Sequence, residues 1–319
     1  MTAGWVDFAT GAPVAGDLDV SWIHGSPPGR RNLDPLLQVH AYDEHTFVLR
    51  QSKALSYEAP FLYLMFGNER AVLFDTGATA SPDRFPLRET VDRLVGDWLA
   101  VNPRASYGLV VAHTHGHGDH VAGDGQFPSR PSTTVVGTDL DSVRRFFGFT
   151  DWPADQVAFD LGGRMLEVSA VPGHHRASIA VYDPWTGWLL TGDTVYPGRL
   201  YVEDMPAFIS SLDRLVDATA RHRVTAILGC HVEMSRRPGH DYPIGCTYQP
   251  DEHPLAMSPQ RLTAVRDAAI SVADRPGPHR YDDFTIFNGP CTPEVVRQLA
   301  RATWGLARDL VVGGHAGHP

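Results

Sequence analysis

The sequence predicts a layered domain of the α/β (α+β) class, and two observations lead to this prediction. Short apolar segments rich in β-branched and aromatic residues alternate with segments of helical periodicity along most of the 319 residues. Several of the apolar segments end directly in glycine, histidine or aspartate. Layered α/β folds place their chemistry at the carboxyl ends of strands, so we expect a site in the histidine-rich segment that follows the apolar run 108–112.

The first half of the chain has a regular order of predicted elements. Aromatic and β-branched runs predict strands, and Gly67-Asn68 between two of them is typical of a hairpin turn. A helix is expected where Leu and Val recur at helical spacing after Pro86. The predicted elements are strands at 45–50, 61–66, 71–75 and 108–112 and a helix at 86–101.

The second half continues the alternation of strands and helices. Two of its helices begin with a Ser-Pro or Thr-Pro pair, Ser258-Pro259 and Thr292-Pro293, in which the first residue suits the N-cap and proline suits the first turn. The pattern predicts strands at 134–137, 165–171, 178–183, 187–191 and 226–228, and helices at 139–147, 206–221, 259–273 and 293–310.

No low-complexity tract or flexible linker divides the chain, so we expect one catalytic domain with additions at both ends. Residues 1–37 are rich in Pro, Gly and Asp and are predicted to form an N-terminal arm. Residues 38–255 are the predicted catalytic domain, and 256–319 are predicted to form C-terminal helices and a tail packed on it.

Charge and composition exclude several classes of protein. A formal net charge of −10 disfavours nucleic acid as a partner, and with it a nuclease, because neutralising phosphates requires a basic surface. Three cysteines without a C-x-x-C pair do not suggest a disulfide framework. The first twenty residues do not resemble a signal peptide, and no apolar run is long enough for a membrane span, so a cytoplasmic protein without a membrane partner is expected.

The most informative motif is His115-Gly-His117-Gly-Asp119-His120, which follows the apolar run 108–112. Residues two apart in an extended segment project to the same side, so His115 and His117 can bind one ion while Asp119 and His120 turn toward a second. The alternative interpretation is a surface loop rich in histidine that binds metal adventitiously.

Four further motifs accompany the histidine cluster in a fixed order, and together the five resemble those of the metallo-β-lactamase superfamily from about Thr46 to His231. The resemblance implies a four-layer αββα sandwich with a metal site at the edges of its two sheets. The four motifs are Phe74-Asp75-Thr-Gly77, Pro172-Gly-His174 with Ser178, Gly192-Asp193, and a single late histidine, His231.

The resemblance also implies a ligand set for two divalent metal ions, with zinc expected and iron or manganese as alternatives. A carboxylate at position 193, in place of cysteine, is similar to the glyoxalase II and lactonase branches of the superfamily. The implied ligands are His115, His117 and His174 for the first ion, Asp119, His120 and His231 for the second, and Asp193 as a bridge between them.

Several residues around the implied ligands receive expected roles. Asp75 is expected to hold a ligand histidine by its free N–H, although a strand-end cap is an equal alternative. Tyr196 lies three residues after Asp193, a spacing similar to that of a lactonase tyrosine that contacts the substrate carbonyl, and packing is the alternative. Tyr248, in the long segment 236–254, is a candidate pocket residue. His113 and His175 are expected to be packing or rim histidines.

The expected activity is hydrolysis of an ester-like carbonyl in a thioester, ester or lactone. Two cations can share a water molecule and lower its pKa from about 15.7 to near 7, which makes a bridging hydroxide available to attack the carbonyl. Asp119 can relay the proton that this water loses. Two alternatives stay open: a mononuclear iron dioxygenase acting on persulfides, and a metal-stabilised protein that binds an acyl ligand without turnover. A homodimer is compatible with the C-terminal elements.

Overall fold

The structure is a computed structural model that describes residues 4–27 and 30–289. Its first sheet has six strands in sequence order, antiparallel up to the fourth and parallel beyond it. They are β1 (Leu37–Asp43), β2 (Thr46–Gln51), β3 (Phe61–Phe66), β4 (Arg70–Phe74), β5 (Gly108–Ala112) and β6 (Thr133–Val135).

A second six-stranded sheet has the order β13-β12-β10-β9-β8-β7, and a third sheet of three strands has the order β11-β15-β14. The strands are β7 (Gln156–Asp160), β8 (Met165–Ala170), β9 (Ile179–Asp183), β10 (Trp188–Gly192), β11 (Arg199–Val202), β12 (Ala226–Gly229), β13 (Ala256–Met257), β14 (Gly277–Arg280) and β15 (Thr285–Asn288). The α-helices are α1 (Leu87–Val101), α2 (Gly118–Val121), α3 (Leu140–Phe147), α4 (Met205–Arg221) and α5 (Pro259–Ser271).

Alternation along β3 shows how the layers are built. Phe61, Tyr63 and Met65 pack into the core between the two large sheets, whereas Leu62 and Leu64 face the opposite side and join the apolar face of α1. On the other side of the sandwich, α4 and α5 cover the second sheet through a separate apolar cluster. The predicted four-layer αββα arrangement is therefore confirmed.

Most predicted elements are present in the structure, but six strands were not predicted. Among the described residues, the four helices longer than one turn, α1, α3, α4 and α5, each begin within one residue of the predicted start. These six strands are either short or lie at the edge of a sheet, where polar residues interrupt the apolar pattern. They are β1, β7, β11, β13, β14 and β15. The predicted helix at 293–310 lies outside the described residues, as does the tail after it.

The described part of the arm, 4–27 and 30–36, contains no helix and no strand beyond one isolated bridge. Its Phe8 is buried edge-on against the rings of His45 and Trp185, so the arm is packed on the sandwich. The division at 37 and 255 stays a prediction. Among the described residues, none of the helices has both the length and the apolar character required to span a bilayer.

A buried ion pair joins the two large sheets at the end of β9. Arg164 donates to the carboxylate of Asp183 at 2.6 and 3.2 Å, and to the carbonyl oxygens of His45 at 2.8 Å and Phe66 at 3.1 Å. Both side chains of the pair are almost fully excluded from solvent. Removal of one partner would leave a buried charge without compensation.

We expect Arg164→Met to lower the free energy of unfolding by about 3–5 kcal/mol, because Asp183 loses its buried counter-charge and two carbonyl oxygens lose the guanidinium as a donor. Urea denaturation measures the change. The control is Arg145→Met, on the exposed face of α3, which should stay within about 0.5 kcal/mol of the parent chain. A loss for Arg164→Met as small as that of the control would contradict the prediction.

Candidate metal centre

The predicted site residues meet at one edge of the sandwich because each follows the carboxyl end of a strand. The segment 113–120 follows β5, His174 follows β8, Asp193 follows β10 and His231 follows β12. The two sheets are joined at this edge by a backbone hydrogen bond from Ile179 N–H to the Thr114 carbonyl at 2.9 Å. Residues that are far apart in sequence are thereby brought within a few ångströms.

Three histidines form the first ligand group. Nε2 of His115 lies 2.9 Å from Nδ1 of His117, and Nε2 of His174 lies 3.2 and 3.1 Å from these two nitrogens. Zinc binds imidazole nitrogen at about 2.0–2.1 Å, and a tetrahedral arrangement separates such nitrogens by about 3.3 Å. The spacing of the three nitrogens therefore fits one ion of that size.

Asp119, His120, Asp193 and His231 form the second ligand group, whose ligand atoms all lie within 4.8 Å of one another. Nε2 of His231 lies 3.2 Å from Oδ2 of Asp119 and 3.3 Å from Nε2 of His120. Nε2 of His120 lies 3.5 Å from the same Asp119 oxygen. Two nitrogens and one carboxylate oxygen therefore converge on one point, as they do around a divalent cation.

Asp193 belongs to the second group and also faces the first. Its Oδ2 is 3.6 Å from Nε2 of His120 and 3.8 Å from Nε2 of His174, and its Oδ1 is 3.6 Å from Nε2 of His231. Oδ1 is buried and has no hydrogen-bond partner in the described part of the chain. A buried anionic oxygen without a donor is costly unless it binds a cation. The donor set of both groups thus fits the implied pair of divalent ions.

The outer nitrogen of each of four histidines is held by a hydrogen bond, which fixes the tautomer and aims Nε2 at the centre. Nδ1 of His174 donates to the Tyr201 carbonyl at 2.7 Å, and Nδ1 of His231 donates to the Glu58 carbonyl at 3.2 Å. The other two bonds join His115 to Thr114 Oγ1 at 3.2 Å and His120 to Asp75 Oδ2 at 3.0 Å.

Asp75 is buried behind the second group and contacts three elements. Its carboxylate accepts from the backbone N–H of Thr114 at 2.8 Å, the Thr114 hydroxyl at 2.9 Å, Nδ1 of His120 at 3.0 Å and the Cys230 thiol at 3.2 Å. Its backbone has φ +68°, a left-handed conformation that aspartate tolerates better than most residues. The expected contact of Asp75 with a ligand histidine is present in the structure.

Charge is arranged differently in the two groups. Burial lowers the pKa of His115 and of His174, so both are neutral imidazoles, the form that binds a metal. Burial alone would raise the pKa of Asp119 and Asp193, but the neighbouring His120 and His231 outweigh it and hold both values well below the usual range. The two carboxylates are therefore anionic at neutral pH.

Two glycines permit close packing around the ligands. Gly192, just before Asp193, has φ +53°, and a Cβ there would lie 2.7 Å from Cβ of Thr114. Gly173, just before His174, has φ +140°, and a Cβ there would lie 2.5 Å from Cα of Phe208 in α4. The Gly-Asp and Pro-Gly-His motifs therefore contain glycine because a side chain would displace the ligand that follows it.

The structure does not support the expected substrate contact of Tyr196. The ring is buried 5.7 Å from that of His231, but the hydroxyl donates to the Arg199 carbonyl at 2.5 Å and lies 3.3 Å from the Glu233 carboxylate. Its hydrogen is already used by the backbone. The packing alternative for Tyr196 agrees better with this geometry.

We expect Tyr196→Phe to lower the free energy of unfolding by about 1–3 kcal/mol, because a buried carbonyl loses its donor. Its kcat on an ester-like substrate should change only slightly. Denaturation and steady-state kinetics on the same preparation check both statements. A decrease in kcat of about 10²–10³-fold, the effect of removing an oxyanion donor, would instead indicate that Tyr196 contacts the substrate.

The remaining predicted residues lie outside the ligand groups. Tyr248 contacts the arm, with its ring 5.9 Å from that of His24, so its pocket role stays a prediction. Nε2 of His113 lies 2.8 Å from the carboxylate of Asp124. His175 is half-buried, and its ring lies 5.2 Å from that of His117. Neither histidine belongs to a ligand group, and their packing or rim roles stay predictions.

Three residues around the candidate centre were not predicted from the sequence. Glu58 and Tyr201 act through backbone carbonyls, which carry no signal in the side-chain pattern. The third is Arg199, a buried arginine whose partners come from distant segments. A sequence motif cannot reveal such groups because their contacts depend on the completed fold.

An αββα sandwich with a double group of histidine and aspartate ligands at the sheet edge defines a class of metal-binding proteins. A family model described as the metallo-beta-lactamase superfamily matches residues 59–225, just over half of the chain. The chain belongs to this superfamily.

Comparison with individual protein sequences gives shorter matches than the family model. The chain is 37% identical over 112 residues to the hydroxyacylglutathione hydrolase of Synechococcus sp. (strain JA-3-3Ab), covering 34% of this chain and 44% of that protein. It is 35% identical over 113 residues to the hydroxyacylglutathione hydrolase of Chromohalobacter salexigens, covering 33% of this chain and 43% of that protein. The matched part spans less than half the length of these relatives. The solved DIM-1 metallo-beta-lactamase is 15% identical, with a TM-score of 0.49 over 75% of this chain and 98% of that one.

Proposed function

We propose that the chain is a metal-dependent hydrolase that binds two divalent ions, expected to be zinc, and cleaves a thioester, ester or lactone. The position of the Asp193 carboxylate between two complete ligand groups is the observation that carries the proposal. The similarity to hydroxyacylglutathione hydrolases supports an ester-like carbonyl as the target. A pair of bound ions supplies activated water at neutral pH and polarises the carbonyl oxygen.

The protein contributes placement and proton handling. Three histidines hold the first ion, and Asp119, His120 and His231 hold the second. Asp119 is anionic and is the most exposed member of its group, with 19% of its side chain accessible. We assign to its carboxylate, through the oxygen that does not face the second ion, the proton that water loses as the new C–O bond forms. That proton then passes to the sulfur or oxygen that leaves when the acyl bond breaks.

The experiment combines metal analysis with a substrate panel. The full chain is stripped with a chelator, reloaded with zinc, and assayed for bound metal and for hydrolysis of thioesters, esters and lactones. We expect two ions per chain and an activity that chelation abolishes and zinc restores. His117→Ala should lose the first ion, whereas the control His175→Ala, which removes a neighbouring histidine outside the ligand groups, should keep both.

Two results would contradict the proposal. One tightly bound iron with oxygen uptake and no hydrolysis would indicate a redox enzyme. Two bound ions without turnover of any member of the panel would indicate a binding protein.

A further inference from the structure

Arg199, at the start of β11, is a buried arginine behind the candidate metal centre. Its guanidinium contacts the Glu233 carboxylate, and it donates to Asp241 at 3.2 Å, to the Tyr242 carbonyl at 2.7 Å and to the Tyr201 hydroxyl at 3.2 Å. No metal ligand is among these contacts. Two of the contacted residues, however, are each connected to a different ligand group.

Tyr201 provides the connection to the first ligand group. Its backbone carbonyl accepts from Nδ1 of His174 at 2.7 Å, and its hydroxyl accepts from Nε of Arg199 at 3.2 Å. Arg199 and Tyr201 are two apart on the same strand, so their side chains lie on one face. Arg199 therefore holds the side chain of the residue whose carbonyl orients His174.

Glu233 provides the connection to the second ligand group, because it lies two residues after His231. The guanidinium of Arg199 binds one of its carboxylate oxygens, and the backbone N–H of Arg199 donates to the other at 2.7 Å. The backbone N–H of Glu233 also donates to the Pro197 carbonyl at 2.9 Å. The segment that carries His231 is thus fastened to the turn before β11.

We propose that Arg199 is a positioning residue for both ligand groups, holding His174 through Tyr201 and His231 through Glu233. The inference rests on the proposed binding of two metal ions. Only arginine has a planar fork of five donors that can engage a carboxylate and several other acceptors together, so lysine cannot replace it. Loss of the fork leaves every ligand present but releases the backbone that orients two of them.

The test compares Arg199→Lys with Arg164→Lys. Arg164 is equally buried and also binds a carboxylate and backbone carbonyls, but its partners lie between the sheets and include no neighbour of a ligand. Both variants should lose stability. Competition with a zinc chelator should show affinity for both ions about 10- to 100-fold weaker in Arg199→Lys, the usual effect of removing support behind ligands. Arg164→Lys should bind both ions like the parent chain.

Two milder variants separate the connections and serve if Arg199→Lys does not fold. Tyr201→Phe should weaken only the ion of the first group, and Glu233→Gln only that of the second. Parent-like affinity for both ions in every folded variant of Arg199, Tyr201 and Glu233 would overturn the inference and leave the proposed function standing. Failure of the parent chain to bind zinc would overturn both.

Discussion

Asp193→Asn is expected to reduce the bound metal from two ions to one and to abolish most of the hydrolytic activity. The side chain lies between both ligand groups, within 3.8 Å of His174 and 3.6 Å of His120 and His231. Asparagine keeps the size of the side chain but removes the negative charge. The loss in kcat/KM should exceed the 10- to 100-fold that is typical of a residue behind the ligands, because a shared ligand is removed.

A matched variant separates this effect from general destabilisation. Asp183→Asn changes another fully buried aspartate, the partner of Arg164, which has no contact with the ligand groups. It should lower the free energy of unfolding while retaining two ions per chain. Metal analysis and zinc-dependent kinetics on folded protein compare the two variants. Two tightly bound ions in Asp193→Asn would show that the carboxylate does not bridge.

The residues of the ligand groups could be predicted from the sequence because chemistry and topology agree there. His115, His117, Asp119 and His120 form one continuous motif, and the other members each follow an apolar run. In a layered fold the ends of these strands meet at one edge. The assignment of these residues to one centre came from the resemblance to the superfamily, because local patterns do not tell which strand ends are neighbours.

The support behind the ligands could not be predicted for a physical reason. Nδ1 of His174 and of His231 bond to the carbonyl oxygens of Tyr201 and Glu58, and any residue type provides a carbonyl. Tyr196 shows how spacing along the sequence leaves the direction of a side chain open. Its spacing from Asp193 suggested a substrate contact, but the turn before β11 directs its hydroxyl to the backbone.

The small third sheet was missed because its strands are only four residues long and depend on partners that are distant in sequence. β11 pairs in parallel with β15, which begins more than eighty residues later, and β15 pairs with β14. Local periodicity carries little information about such short strands. This sheet nevertheless matters for the site, since β11 carries both Arg199 and Tyr201.

Asp75→Asn is expected to weaken binding of the second ion by about 10- to 100-fold, although Asp75 is not a ligand in the proposed centre. One oxygen of the present carboxylate accepts from Nδ1 of His120, the Thr114 hydroxyl and the Cys230 thiol. An amide NH2 group in place of that oxygen would itself be a donor and could not accept these three hydrogen bonds. His120 would then favour the tautomer protonated on Nε2, the nitrogen that faces the second ligand group.

The control for Asp75→Asn is Asp124→Asn, which changes a nearby aspartate that binds Thr76 and His113 and contacts no member of the ligand groups. Zinc titration should show a weakened second ion only in Asp75→Asn. Nitrogen NMR of the histidine rings should show that His120 changes tautomer in that variant alone. If Asp75→Asn kept both the parent tautomer of His120 and the parent affinity for zinc, the prediction would be wrong. Asp75 would then be a cap at the end of β4, a role that does not depend on its charge or affect the protonation of His120.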